Sequence, residues 1–355
     1  MASTKPSGRK RPTSDDVARL AGVSRTTVSL IINNVPTANI PEGTRARVQA
    51  AIAQLEYQPH EAARNLRRQA SRILGVSIPD SHNPHYLEVE AGIEEYADQQ
   101  GYSVILSAAA FDARRALQCL DWLKQQRIDG LIISPSTGGE LLHEMRVTSD
   151  KGYPITMIGL TTAGFEQTRI DYVCNEEYLA VRLVLEHLVQ LGHRRIGYIY
   201  GVSDHVILGG RLQRCLELHR ELGLPLIEPW IRRCGPTQDE AYRETKALLS
   251  TCPPAERPTA LVVVNDLLAC AVLAALREEG VEVPTTMSVA SFDNTPFARF
   301  FSPPLTSLDF NAHQLGREAA RLVIERLQDP QRPPTLIEVP TQLVARASTG
   351  PAPEG

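Results

Sequence analysis

The chain has 355 residues, 43% of them hydrophobic and 22% charged, enough for two or three domains of roughly 100–150 residues with sizeable cores. Its longest uninterrupted apolar run, Leu267 to Leu276, is about half the ~20 residues of a spanning helix; the N-terminus carries no apolar stretch of secretory type, and the six cysteines form no CxxC pair. Membrane, collagenous, disulfide-scaffold and zinc-finger readings are excluded, and the thiols read as reduced, cytosolic and mostly packed. The net charge of −4 is uneven: residues 1–72 carry twelve Lys/Arg against five Asp/Glu, a +7 head on a −11 body. That distribution suits a nucleic-acid-binding module joined to something that does not touch nucleic acid, with a solubilising basic tail as the plainer alternative.

In chain order, residues 1–12 form a polar basic arm, expected to be disordered. Residues 13–56 read as helical. Thr13 or Ser14 can cap a first helix whose opening turn holds Asp15 and Asp16, favourable beside the positive helix end; Val17, Leu20 and Ala21 form its apolar stripe, and Gly22 stops it. Ser24 caps a second helix with Val28, Ile31 and Ile32 apolar, ended by Asn33-Asn34-Val35-Pro36. A third runs from about Pro41 to Leu55, with Val48, Ile52 and Leu55 inward.

From Ser71 the pattern becomes strand and helix in alternation. Apolar β-type runs fall at Ile73–Ile78, Tyr102–Leu106, Gly130–Ile133, Ile155–Ile158, Ile196–Tyr200, Ala260–Val264 and Ser288–Phe292. Helical patterns at 86–99, 114–125, 177–191, 211–222, 239–250 and 267–279 separate most of them. This alternation predicts parallel sheets covered by helices, and roughly 280 residues call for two lobes. Pro303-Pro304, Asp329-Pro330 and Pro333-Pro334 mark breaks, and the Pro/Gly/Ser-rich tail 347–355 is expected to be loose.

Asp16 to Ser29 has the pattern helix, tight turn, helix, with Ala21 before the turn, Gly22 in it and Ser24 capping the second helix. In a helix-turn-helix the start of that second helix enters the major groove, where base edges carry a unique donor–acceptor pattern; Arg25, Thr26 and Ser29 are its exposed polar residues. Any αα-hairpin could share the pattern. The next segment, Glu56 to Gln69, carries Arg64, Arg67 and Arg68 on a stretch too short to be a stable isolated helix. Its basic residues suggest that DNA folds it.

Asp16-Val17-Ala18, Ala21-Gly22-Val23-Ser24, Thr27-Val28-Ser29, Thr44-Arg45, Tyr57-Gln58-Pro59 and Ala63-Arg64-Asn65-Leu66 together resemble the lactose/galactose repressor (LacI/GalR) family of bacterial transcriptional regulators. The resemblance continues in order to about residue 345, through Gly75-Val76, Asn83-Pro84, Gly92-Ile93, Leu191-Gly192-His193-Arg194-Arg195-Ile196-Gly197, Asn265-Asp266, Ser288-Val289, Phe292-Asp293-Asn294 and Pro303-Pro304-Leu305-Thr306. It implies that Arg25 and Thr26 hold the main base-reading positions, with Ser29, Leu30, Thr44, Arg45 and Arg64 also on DNA. It implies too that Leu66 of a hinge helix wedges into the minor groove, unstacking a base step; packing between paired hinge helices is the other role open to Leu66. Leu30 departs from the family, many of whose members place a guanine-reading arginine there. Leucine has no donors, so that contact is absent and a thymine methyl is the available target.

The resemblance implies an N-terminal all-α helix-turn-helix domain (13–58), a hinge helix or linker (59–71) and an α/β two-lobed periplasmic-binding-protein-like domain (72–346) of two doubly wound parallel sheets. The first lobe is expected at about 72–172 and 309–334, the second at about 173–308 and 335–346. Ligands sit beyond the carboxyl ends of parallel strands, and closure on them is a hinge motion. Asp293 and Asn265 follow strands, and Arg211 opens a helix after a Gly209-Gly210 turn; all three match effector-holding positions, as do the more variable His85, Tyr86 and His205. An Arg, an Asn and an Asp suit the vicinal hydroxyls of a sugar, while strand-end capping and ion pairing within a lobe are their structural alternatives. For Asp266 a structural cap is expected. Gly159 and Pro236 stand where relatives often carry an acid and an aromatic ring. His82, His85 and Glu88 have a tempting spacing, but Pro84 interrupts it and no fourth ligand is evident, so no metal or other cofactor is expected.

No GxSxG, GxxxxGK[ST], HExxH or GxGxxG segment is present. A solute-binding transport protein would need an export signal and no helix-turn-helix, and an α/β enzyme a nucleophile or phosphate loop. The reading is therefore a cytoplasmic, non-enzymatic repressor. It binds a palindromic double-stranded operator as a homodimer under control of a small polar effector, a carbohydrate by preference and a nucleoside or purine as the alternative. The tail after Thr341 has no heptad repeat for a coiled-coil tetramer.

Overall fold

The computed structural model describes residues 12–32, 39–57, 70–135, 139–159, 168–200 and 206–354. Arg64, Leu66 and His205 lie outside the described residues. The chain divides into two compact units, residues 1–71 and 72–355.

In the first unit, α1 (Ser14–Ala21), α2 (Arg25–Ile32) and α3 (Glu42–Gln54) pack around Val17, Ala18, Ala21, Val28, Ile31, Val48 and Ala51. Thr13 and Asp16 form a reciprocal capping box at the start of α1, and Gly22 ends it at φ 66°, a left-handed geometry that glycine adopts without steric cost. Ser24 Oγ accepts from the Thr27 amide at 3.1 Å and caps α2. One expected core residue is misplaced: Leu20 is 47% exposed, and Ala18 is buried instead. On an eight-residue helix the buried stripe is narrow, and a one-residue rotation of the face decides which side chain it admits.

The second unit contains two six-stranded sheets. The first runs β11 (Leu336–Glu338), β5 (Asp171–Cys174), β4 (Ile155–Ile158), β3 (Gly130–Ile133), β1 (Ile73–Ile78), β2 (Ser103–Ala108), all parallel. The second runs β12 (Gln342–Val344), β10 (Thr306–Asp309), β9 (Ser288–Phe292), β8 (Ala260–Val263), β6 (Ile196–Tyr200), β7 (Ile231–Arg233), parallel except for β12. Every residue of β3, β4, β6, β8 and β9 is buried, which is why these strands read as mainly apolar runs, broken only by small polar residues such as Thr156, Ser288 and Ser291, rather than as alternating ones. Helices α4 (Pro84–Gln99), α5 (Ala113–Lys124) and α6 (Glu140–Asp150) follow strands of the first sheet. Helices α7 (Glu177–Gln190), α8 (Val206–Glu221), α9 (Gln238–Thr251) and α10 (Asp266–Glu278) build the second lobe, and α11 (Ala312–Gln328) returns to the first, against α4. Among the described residues no helix is long and apolar enough to cross a membrane.

The chain passes between the sheets at 175–176, 310–311 and 339–341. This moves the expected lobe boundaries. Val173 and Cys174 complete β5, and residues 336–338 pair with β5 as β11, so both belong to the first lobe; the third crossing comes only after Glu338. The tail is not loose either. Ser348 is fully buried, its amide donates to the Pro304 carbonyl at 2.9 Å, and its carbonyl accepts from the Val289 amide at 2.8 Å. The Ala352 amide reaches the Leu191 carbonyl at 2.8 Å. The glycine and proline content that suggests looseness instead lets an extended strap lie across the end of β9, where His193 bonds Thr259, Ser288 and the Gly350 carbonyl.

Helices α4 and α11 approach so closely that a Cβ on Gly92 would overlap the His313 carbonyl oxygen, and one on Gly316 the Val89 carbonyl oxygen. Backbone cannot yield as a flexible side chain can. Gly316→Ala is therefore expected to destabilise the second unit by at least the ~1–3 kcal/mol typical of overpacking, read as a lowered midpoint in thermal or urea denaturation; an unchanged midpoint would show that the helices can separate freely.

Candidate functional site

The candidate DNA-facing surface of the first unit is the side of α2 opposite the buried Val28 and Ile31. Arg25 and Thr26 are exposed at its start, with Ser29 and Leu30 half-exposed one turn on. Leu30 lies outside the headpiece core cluster. Arg25 stands 3.9 Å from Asp15, both side chains more than half exposed, a pairing weak enough to be exchanged for phosphate or base. Thr44 and Arg45 are half-buried in the first turn of α3. Arg47 is used structurally: its Nε donates to the Ala21 carbonyl at 3.4 Å, at the end of α1.

The second site lies where the strand ends of the two lobes face one another. Asp293 directly follows β9, at φ 102°, and Asn294 follows at φ 47°; two successive non-glycine residues in the left-handed region turn the chain sharply and set the Asp293 carboxylate at the strand end. Its backbone amide donates to the Leu308 carbonyl at 2.9 Å. From the first lobe, Asn83 Nδ2 donates to Asp293 Oδ2 at 2.9 Å, while Asn83 Oδ1 caps α4 by accepting from the His85 amide at 3.0 Å. One side chain thus starts a helix in one lobe and holds an acid of the other. His85 Nδ1 lies 3.9 Å from Asp293 Oδ1 and has no hydrogen-bond partner. Burial holds the His85 pKa below 6.5 against the pull of Asp293, so the ring is neutral at pH 7. Burial, with Asp293 nearby, pushes the Tyr86 phenol up.

Arg211 does not open its helix. It sits in the second turn of α8, which already begins at Val206, and Gly209-Gly210 is helical rather than a turn; the weak helix propensity of two glycines is overridden by context. Its side chain is 6% exposed, Nε donates to Glu177 Oε1, and Nη1 donates to the Val264 carbonyl at 3.0 Å. The guanidinium lies 4.7 Å from the ring centroids of both Phe292 and Phe310. Burial works against its charge, but Glu177, Tyr200 and Asp293 outweigh it and raise its pKa.

Asn265 takes the structural role in part: Oδ1 accepts from the Leu268 amide at 2.9 Å and caps α10, leaving the amide nitrogen as what it can offer a ligand. Asp266 is wholly structural. It is buried and accepts from Ser291 Oγ, Ser307 Oγ (2.6 Å), the Thr295 amide (2.7 Å) and Thr295 Oγ1 (3.0 Å). Burial and then Asp293 push its pKa up to about 6. Gly159 has φ 71°, so an acid at that position would carry backbone strain. Pro236 is exposed. Among the described residues no group of three or more His, Cys, Asp or Glu could hold a metal ion, and His82 is engaged by Asp80 at 2.8 Å. Four contributors escape sequence reasoning: Asn83, Glu177, Phe292 and Phe310. Asn83 and Phe292 stand in the sequence only within the family motifs, and Glu177 and Phe310 carry no local signal of a role at the cleft.

A helical reading head followed by a two-lobed ligand-binding body defines an effector-controlled DNA-binding regulator. The model of the bacterial regulatory proteins of the lacI family matches residues 13–60, and that of a periplasmic binding protein-like domain matches residues 185–349. The chain is 33% identical over 340 residues to the HTH-type transcriptional repressor PurR of Yersinia pestis bv. Antiqua, covering 95% of this chain and 97% of the relative. The lac repressor dimer bound to operator and the anti-inducer ONPF superposes with a TM-score of 0.84 at 27% identity, over 96% of this chain and 100% of that one. A CelR–cellobiose complex superposes with a TM-score of 0.70 at 26% identity, over 95% and 100%. The chain belongs to the LacI family of bacterial transcriptional regulators, and it acts by binding DNA, not as an enzyme.

Because the folded pKa of His85 lies below its ordinary 6.5, its contribution to stability is complete above that pH and is lost as pH falls. In His85→Gln the decline of the melting temperature between about pH 6.5 and 5 is expected to be shallower than in the parent chain. Parallel curves would mean that the ring protonates without cost.

Proposed function

We propose that this regulator is a repressor whose effector is a small uncharged polyol, a sugar or sugar derivative, bound between the lobes by Asp293, Arg211, Asn265, His85 and Tyr86, with His205 as a further contact argued from sequence alone. The observation that carries this reading is the Asp293 carboxylate, presented at a strand end and already steadied by Asn83 from the opposite lobe. A carboxylate accepts hydroxyl hydrogens, and a guanidinium donates to the neighbouring oxygens. The charge balance agrees. Arg211 is paired with Glu177, His85 is neutral, and Asp293, Asp309 and Glu88 lie near His85, so a phosphate or carboxylate would meet acids. The CelR relative binds cellobiose, an uncharged sugar, in a body of the same fold.

On DNA, Arg25, Thr26, Ser29 and Leu30 read base edges, Thr44 and Arg45 contact the backbone, and Arg64 and Leu66 act at the operator centre; the last two enter on sequence alone. Two copies related by a twofold axis match a palindromic operator, and action on chromosomal DNA places the protein in the bacterial cytoplasm. The two lobes correspond to residues 72–174, 311–338 and 176–309, 341–354, and effector occupancy changes their closure.

Isothermal titration against neutral mono- and disaccharides, sugar phosphates, nucleosides and purines tests the effector class; saturation only by a purine or a phosphate overturns the polyol assignment. Asp293→Asn is expected to weaken effector binding by about 10–100-fold, the worth of hydrogen bonds to a charged group. Operators come from in vitro selection with the full chain. On them Arg25→Ala is expected to cost about 1–3 kcal/mol and to relax the base preference at one position of each half-site, whereas Arg45→Ala lowers the dependence of log K on log salt by about one ion. Failure to enrich any palindrome would remove the DNA-reading assignment.

A further inference from the structure

We propose that Asn175 is a positioning residue for effector control. It ties together the three strands on which the lobes turn and, through the Phe310 carbonyl, sets the aromatic wall of the cleft. The inference rests on the cleft being the effector site.

Asn175 is the residue at which the chain first leaves the first sheet, directly after β5. Its side-chain amide carries two hydrogens in one plane, and both are used. Nδ2 donates to the Phe310 carbonyl at 3.0 Å, on the second crossing, and to the Val339 carbonyl at 2.8 Å, on the third. The Val339 amide returns a bond to the Cys174 carbonyl at 2.8 Å. All three passages are thus joined around one half-buried side chain. Phe310 belongs at once to the hinge and to the cleft: its ring stacks on Phe292 at 6.1 Å, lies 4.7 Å beneath the Arg211 guanidinium and meets His85 edge-on at 6.0 Å. The next residue, Asn311, holds φ 54°, so the chain turns sharply just where Asn175 grips it. An effector that displaces the Phe310 ring or loads Arg211 therefore pulls on the carbonyl that Asn175 holds. Serine can keep one of the two bonds and alanine neither. This residue type is chosen by the need for two donors at one atom.

The test reads lobe geometry with no effector and no operator, so its failure leaves the polyol assignment standing, and failure of that assignment does not decide it. In the full chain with Cys270→Ser, spin labels at Arg115→Cys on α5 and Arg243→Cys on α9, both exposed, report the distance between lobes; excess unlabelled chain suppresses contributions from partner copies. Asn175→Ala is expected to change the ratio of lobe arrangements about tenfold, as the loss of two hydrogen bonds allows, with Asn175→Ser intermediate. An unshifted distance distribution in both variants, even with a lowered melting temperature, would overturn the proposal and leave Asn175 a purely structural residue. If the alanine chain does not fold, the serine variant decides by the same criterion.

Discussion

A backbone that leaves one sheet for another gives up its ladder of hydrogen bonds at the crossing, and buried peptide groups must recover partners. This chain crosses three times, side by side, and the cleft is organised by that recovery. The Asn175 amide serves the second and third crossings, and the Val339 amide serves the Cys174 carbonyl at the first. Because parallel strands deliver their carboxyl ends to one edge, the residues just beyond β8 and β9 open onto the same space as the start of α4. Asp293, Asn265, Asn83 and His85 owe their proximity to topology, although Asn83 and Asp293 are separated by 210 positions.

Placing charge in such a space is costly unless each group is paired, and the second unit meets this in three different ways. Arg211 is matched by Glu177 and by aromatic faces. Asp266 gathers donors from three residues and links α10 to β9, β10 and the loop after Asp293. Asp171, fully buried, takes Arg326 at 2.9 Å and Arg332 at 2.8 Å, and so ties the C-terminal end of α11 and its loop to the first sheet. Only the first of these faces the cleft. Buried ionisable residues are therefore poor markers of the site by themselves. What distinguishes Asp293 is a strained backbone and a partner from the opposite lobe.

The helical head and the strand–helix alternation were legible because both rest on local periodicity: the capping box at Thr13, the stop at Gly22, and the apolar runs of β1, β3, β4, β6, β8 and β9. The short strands β5, β7, β10, β11 and β12, and helices α6 and α11, escaped it. The strands have three or four residues, too few to show a period, and are defined by the neighbour they pair with. In α11 a mid-helix Gly316 reads as a break, yet it is the surface that α4 requires. Asp293 and Arg211 could be named from motif, but the reason that they act together could not: Asn83 and Glu177 come from distant segments, and neither carries a local signal beyond helix initiation. The tail misled in the same way, since its composition describes its backbone freedom and not the end of β9 that it covers.

Charge and core size then explain why so modest a device can regulate. Among the described residues the buried core of the headpiece is made of valine, isoleucine and alanine side chains, with Leu55 and Tyr57 packed against it, and a domain of this size buries too little to be strongly stable by itself. Its grip on DNA comes from an excess of cations over anions, while the body carries the opposite sign and adds no attraction for phosphate. Operator binding is therefore a balance between a basic head and an acidic remainder, and a balance is moved by small terms. A coupling of about 1–3 kcal/mol, the usual scale between two sites, corresponds to the making or breaking of one or two hydrogen bonds. On the proposed binding mode, a single effector hydroxyl competing for Asp293 would be of that size. The lobes need not be reorganised at large cost; the cleft has only to favour one of two arrangements that the crossings already permit.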